Sequence, residues 1–304
     1  MPQRSHAWKP IPTIIPSYYF VTNMSIPNRV VAIIGSGGMG IACARRLGGG
    51  KRVLFADFSQ GNLDFAARSL RDDGHQVETH VVDVASFESV QKFAEAAATA
   101  GHIDAVVHTA GLSPAMAPPQ RIFDVDLLGT ANVIDAFLDV VKPGSSLTCI
   151  ASMARFGARP TPELAAHFAT APRDKLLERE ELVESINASD SSTAYSLSKA
   201  ANLLRVQAAA RAFAQKGARI NSISPGVIAT AMVREELESP HGATINAIIT
   251  GTPMQRAGSA NEIAGAVAFL AGPDASYITG TDILVDGGTI AGNSGALMSA
   301  TKKE

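Results

Sequence analysis

In Tyr195-Ser196-Leu197-Ser198-Lys199 a phenol and an ammonium stand at i and i+4, so a helix through them carries both on one face about one turn apart. A free phenol titrates near 10 and a lysine near 10.4, which leaves roughly one tyrosine in a thousand ionised at neutral pH. A cation within about 4 to 6 Å favours the phenolate and brings it toward the working range of an acid/base group. Tyr-x-x-x-Lys spacing also occurs on ordinary solvated helix faces. Position gives it weight here, because the helix precedes a strand ending in Ser224-Pro225-Gly226.

A second constellation lies near the start of the chain. Gly35-Ser36-Gly37-Gly38-Met39-Gly40 follows an apolar run and opens a helix at Ile41 to Leu47. Glycines there permit a tight turn and let a pyrophosphate approach backbone N–H groups at a positive helix end. Asp57 lies 22 residues after Gly35, at the end of the second predicted strand, where a carboxylate accepts the ribose hydroxyls of an adenosine. With Phe58 next to it and no basic neighbour, it favours NAD over NADP. Flavin and methyl-donor sites share this loop geometry. Asp83, followed by Val84, is placed either to hold the adenine amino group or simply to cap a strand end. His108-Thr109-Ala110-Gly111 ends the fourth strand; its small residues let the backbone pass beneath a cofactor, and His108 reads as a core histidine without a catalytic role.

The elements that position these groups alternate. Short runs rich in Val and Ile, at Val30 to Ile34, Arg52 to Ala56, Val77 to Val82, Ala105 to His108, Ser146 to Ala151, Arg219 to Ile223 and Ile283 to Val285, are separated by stretches of helical period. That is an α/β pattern, a Rossmann-type doubly wound parallel sheet in three layers and one domain. Ser86 caps a helix with Phe87, Val90, Phe93 and Ala97 on one stripe, and Ser259 with Glu262 forms a capping box for a helix to about Ala271.

Residues 1–28 carry five prolines and read as a loose extension, with Met24 an alternative start; 291–304 read as a small, polar tail. Across 304 residues, a formal charge of -2 with scattered Lys and Arg offers no basic stripe for nucleic acid. No run of about 18 apolar residues exists for a membrane span. Cys43 and Cys149 lie in apolar segments as inert thiols, which fits a reducing cytoplasm. No metal site is read.

The order of glycine turn, acidic residue, Ala-Gly after the fourth strand, Ser after the fifth, Tyr-x-x-x-Lys and then Pro-Gly resembles the short-chain dehydrogenase/reductase family, over residues 29–290. The ending Tyr277-Ile278-Thr279-Gly280-Thr281-Asp282-Ile283-Leu284-Val285-Asp286-Gly287-Gly288 is similar to the close of its compact members. The resemblance implies that Tyr195 is the general acid/base and that Lys199 lowers its pKa and holds the nicotinamide ribose. It implies that Ser152 hydrogen-bonds the substrate oxygen, and that Pro225, Gly226, Ile228 and Thr230 cup the nicotinamide.

Three features depart from the family pattern. The glycine loop is one residue shorter between its first two glycines. Asp126 stands where the family has a helix asparagine that supports a water-linked proton relay to the lysine; an ionised Asp126 holds the lysine's proton instead, and Asp126→Asn is expected to be tolerated. Ser152 and Tyr195 are 43 residues apart, so an insertion occupies about 154–192, as in certain carbonyl reductases and hydroxysteroid dehydrogenases. Within it, Thr161 and Pro162 start a helix bearing Leu164 and Phe168, stopped by Pro172. A second helix is expected from about Arg173 to Asn187, with Leu176, Val183 and Ile186 as its apolar stripe.

The expected activity is hydride transfer between NAD(H) and an apolar secondary alcohol or ketone, a small-molecule partner. Met232, Leu237, Ile245, Ile248, Ile249 and Met254 form either an apolar lid or ordinary core. A catalytically silent NAD-binding regulator is the alternative, and a flavin enzyme a third reading that leaves Tyr195 without a task. A homodimer through the last strand is expected, with a tetramer the other possibility.

Overall fold

The structure, a computed structural model, describes residues 29–292. The extension expected at 1–28 and the tail from residue 293 lie outside them; residues 291–292 finish a helical turn. Seven parallel strands form one sheet: β1 (Arg29–Ile34), β2 (Arg52–Asp57), β3 (Gln76–Val81), β4 (His102–His108), β5 (Ser146–Ile150), β6 (Arg219–Pro225) and β7 (Asp282–Val285). Their order is β3-β2-β1-β4-β5-β6-β7. Each matches an expected strand to within a few residues.

Runs such as Val30–Ile34 are buried on both sides because helices cover both faces. One face packs Phe93, Phe137, Val206 and Phe213 against alternate strand residues; the other packs Leu63, Leu70, Ile263 and Val267. The chain reverses its winding between β1 and β4, whose registers pair Ile34 with His108. Ligand crevices open beyond the carboxyl ends of strands at such a reversal, which puts Gly35 and Thr109 side by side.

The insertion is ordered on a third cluster of buried residues. Thr161 caps the helix Pro162–Thr170 by accepting from the Leu164 N–H, and Leu164 and Phe168 are buried as expected. The second expected helix is corrected. A 3-10 turn at Arg173–Lys175 is followed by a break, and the helix proper spans Glu180–Asn187. The restart resets the helical phase, so Leu176 and Leu182 face inward while Val183 is exposed.

Candidate active site

Gly35 has φ +102°, and a Cβ there would lie 2.5 Å from the Ala110 nitrogen and from the Thr109 hydroxyl. Only glycine fits. A Cβ on Gly40 would meet the Gly35 carbonyl oxygen, so that glycine serves the packing of turn on helix. Gly37 is the N-cap of the helix Gly38–Leu47; it supplies no side-chain cap, and nothing lies within 4 Å of where its Cβ would be. The first turn therefore presents free N–H groups to an open cleft.

That cleft has a volume of about 840 Å³. It is lined by Gly35, Ser36, Gly37 and Gly38, then by Asp57 and Phe58, Asp83 and Val84, Ala110 and Gly111, and Thr230. Met39 packs into the core instead, and Gly226 and Ile228 line a separate small pocket beside Asp286. Pro225 ends β6 and does not line the cleft.

Asp57 is held by three donors. Its Oδ2 accepts from the Ser36 N–H at 2.7 Å and the Ser36 hydroxyl at 2.8 Å, and its Oδ1 from the Ser59 N–H at 2.9 Å. A carboxylate has about four acceptor sites, so capacity remains on Oδ1 toward the cleft. Asp83 does cap its strand end, accepting from the Ala85 N–H at 3.0 Å, and also lines the cleft.

Several lining residues were not anticipated, among them Asn62, Met116, Arg121 and Arg234. Arg121 reaches in from the helix Pro119–Ile122, 5.8 Å from the Phe58 ring centre and 3.5 Å from Asp83. No local sequence signal connects it with Asp57.

Lys199, Asp126 and Tyr195 meet below Gly111. The helix Pro119–Ile122 widens into a π-turn over Phe123–Leu128, which places the Asp126 carboxylate inside the protein. Its Oδ1 accepts from the Leu112 N–H at 2.8 Å, and the Lys199 Nζ lies 3.0 Å from Oδ2. The lysine contact is a buried ion pair at hydrogen-bond distance. A Cβ on Gly111 would stand 3.1 Å from Nζ, so this glycine lets the ammonium come up against the cleft floor.

The Lys199 Nζ is 5.3 Å from the centre of the Tyr195 ring. The Ser152 hydroxyl caps the turn Met153–Gly157 by accepting from the Ala154 N–H at 3.1 Å, and its influence on the pKa of the Tyr195 phenol is to lower it. Asn202 and Thr130 brace the cluster from behind: Thr130 donates to the Asp126 carbonyl at 2.8 Å, and the Asn202 amide nitrogen is placed to donate to it at 3.0 Å.

Electrostatics differ from the simple expectation for the phenol. Burial raises Tyr195 above its ordinary value; Lys199 pulls it down as expected, Ser152 also lowers it, and Asp126 and Glu236 push it up again. Burial likewise lifts Asp126 above the usual carboxylate range, against the pull of Lys199 and the Leu112 N–H. Lys199 is lowered by burial and raised by Asp126 and Tyr195, and the raising effects prevail. In this state the lysine's charge is shared with Asp126. His108, buried with its Nε2 on the Thr130 hydroxyl at 3.1 Å, is depressed to about 3, chiefly by burial.

Comparison with known proteins places this arrangement. A family model described as enoyl-(acyl carrier protein) reductase matches residues 33–169 and 181–289. A short-chain dehydrogenase/reductase of Alternaria brassicicola, bsc3, is 39% identical over 267 residues, 86% of this chain and 95% of its own. The chain belongs to the short-chain dehydrogenase/reductase family. It is an oxidoreductase of that family, with the single-domain Rossmann-type fold. A cis-4-hydroxycyclohexanecarboxylate dehydrogenase of Sinomonas cyclohexanicum is 32% identical, covering 86% of this chain and 97% of its own. Among solved structures, a short-chain dehydrogenase/reductase of glucose/ribitol dehydrogenase type from Brucella melitensis superposes with a TM-score of 0.68 at 28% identity, over 87% of this chain and 97% of its own. The stretch 170–180, which the family model leaves unmatched, falls inside the insertion.

Proposed function

We infer that the protein transfers a hydride between NAD(H) and an apolar secondary alcohol or ketone. The observation that carries this reading is the buried cluster at the cleft floor: the Lys199 Nζ 3.0 Å from Asp126 and 5.3 Å from the Tyr195 ring, with Ser152 lowering the pKa of the phenol.

The cleft fits a dinucleotide. The uncapped N–H groups after Gly37 suit a pyrophosphate, Gly35 keeps the loop flat on Thr109 and Ala110, and Asp57 stands at the adenosine end with an acceptor to spare. When bound, the nicotinamide supplies the hydride acceptor or donor. In the oxidative direction Tyr195 takes the substrate's hydroxyl proton, Ser152 holds the substrate oxygen, and Lys199 stabilises the phenolate. Asp57 supports NAD, because a 2′-phosphate beside a carboxylate places like charges together.

The apolar substrate is supported by the segment over the cleft. Of Met232, Leu237, Ile245, Ile248, Ile249 and Met254 none is buried, which favours the lid over the core reading, and Met232 lines the cleft. The relative named for cis-4-hydroxycyclohexanecarboxylate suggests cyclic alcohols for trial.

The test is a panel of linear, monocyclic and steroidal secondary alcohols with NAD, read by NADH absorbance. Turnover of at least one cyclic or long-chain member is expected. Tight NADH binding with no turnover of any alcohol or ketone would favour the silent regulator instead.

A further inference from the structure

The turn that follows β5 carries Ser152, yet none of Met153–Gly157 is buried. Arg155 ties it down. Its Nε donates to the Ser224 hydroxyl at 2.9 Å and its Nη2 to the Asp282 Oδ2 at 2.9 Å, while its guanidinium carbon lies 3.9 Å from the centre of the Phe156 ring. The other carboxylate oxygen of Asp282 accepts from the Ser222 hydroxyl at 2.6 Å and the Ser224 hydroxyl at 3.0 Å. Ser222 and Ser224 are buried two residues apart on β6, and Asp282 pairs with Ser222 across β7. The Arg155 and Asp282 side chains are 18% and 5% exposed.

A buried ion pair is weak as a source of stability, since apolar residues of similar size hold a fold as well or better. What it supplies is fixed geometry, and this one joins three strand ends. Arg155 extends from β5, Ser224 adjoins Pro225-Gly226 at the end of β6, and Asp282 begins β7. The Ser152 hydroxyl accepts from the Ala154 N–H, and the Arg155 N–H closes the turn on the Ser152 carbonyl at 3.2 Å. The direction of the serine's remaining lone pair and proton therefore follows the turn.

We propose that Arg155, held by Asp282 and Ser224, is a positioning residue that aims the Ser152 hydroxyl at the site shared by the Tyr195 phenol and the substrate oxygen. The proposal rests on the reading of Ser152 and Tyr195 as the reacting pair. Arg155 lines no part of the dinucleotide cleft, so its loss spares cofactor binding.

A double-mutant cycle tests this, with turnover measured on the best alcohol of the panel and NADH affinity by fluorescence. Arg155→Ala is expected to lower kcat about tenfold while NADH affinity stays within about twofold. In the Ser152→Ala background the same change should cost less than about twofold, because the group it aims is gone. Arg155→Lys, which keeps charge without the fork, should fall between, at about threefold. Equal tenfold losses in both backgrounds, or loss of NADH binding together with kcat, would overturn the proposal. Should Arg155→Ala fail to fold, Asp282→Asn runs the same cycle, with a loss of about threefold expected only where Ser152 is present. Ser152→Ala alone separates the two failures: wild-type turnover there sinks the reacting-pair reading and the proposal with it, whereas a slow Ser152→Ala with additive losses sinks the positioning role alone.

Discussion

At Asp126 a carboxylate occupies the place of a neutral amide, and its charge reaches both neighbours, raising Lys199 and Tyr195 alike. In alcohol oxidation the phenolate is the base, so kcat/KM rises with pH through the Tyr195 titration. Removing the Asp126 charge removes one influence that raises Tyr195, so the limb should move to lower pH in Asp126→Asn. Oxidation near pH 7 should then be unchanged or faster, as a pH–rate profile would show. An unmoved limb, or collapse of activity, would mean that the carboxylate has a role of its own, such as passing on the lysine's proton. At the other end of the cleft, Asp57 should hold a preference for NAD over NADP of about tenfold or more, from like charges about 4 Å apart in a surface-like dielectric. Comparison of kcat/KM with the two cofactors checks it, and parity would contradict it. Arg121 makes the same site instructive. Asp57 was legible from its distance to Gly35, but Arg121 arrives through tertiary folding and leaves no local trace.

The insertion shows the same limit in a whole element. Thr161, Pro162 and the Leu164–Phe168 spacing foretell the first helix because cap, start and stripe are all local. The second lost its phase at the break before Glu180, where Arg179 takes an extended conformation that no single residue announces. Its packing is nonetheless firm. Arg205 on the Tyr195 helix donates to the Phe168 and Ala171 carbonyls at 3.2 and 3.0 Å, and Arg173 pairs with Asp135 at 2.7 Å. Phe168→Ala should therefore cost about 3 to 5 kcal/mol, measurable by chemical denaturation. A loss below about 1 kcal/mol would mean that the insertion is only loosely attached. The fourth strand carries a separate liability in His108. Held neutral with a value of about 3, it contributes stability that is fully present above its unfolded value near 6.5 and is lost as pH falls toward 3, because the unfolded chain then binds a proton that the folded one refuses. The melting temperature should drop between pH 7 and pH 5, and His108→Gln should flatten that drop; an identical slope in both proteins would refute the assignment.

For the molecule as a whole, the seven strands and the doubly wound parallel class follow from the spacing of apolar runs and the glycine turn, which is why they could be anticipated, whereas the strand order is seen only in the structure. The network of Arg155, Asp282 and two serines could not, because its members lie on two strands and on the turn that follows a third. The insertion covers part of the Tyr195 helix, whose outer face pairs with a second subunit in ordinary family members, while β7 pairs with β6 alone among the described residues. A homodimer through β7, with the helix contact altered, is the expected assembly. Light scattering would show a dimer, and a tetramer with the usual helix pairing intact would contradict it. The proton transfer runs through the Tyr195 phenol. Tyr195→Phe removes one hydroxyl from a half-buried ring that the Lys199 cation faces, leaving the cleft lining unchanged. On the best alcohol of the panel it should lose about a hundredfold or more in kcat while NADH affinity by fluorescence stays near wild type. Near-normal turnover by Tyr195→Phe would contradict the acid/base role of Tyr195.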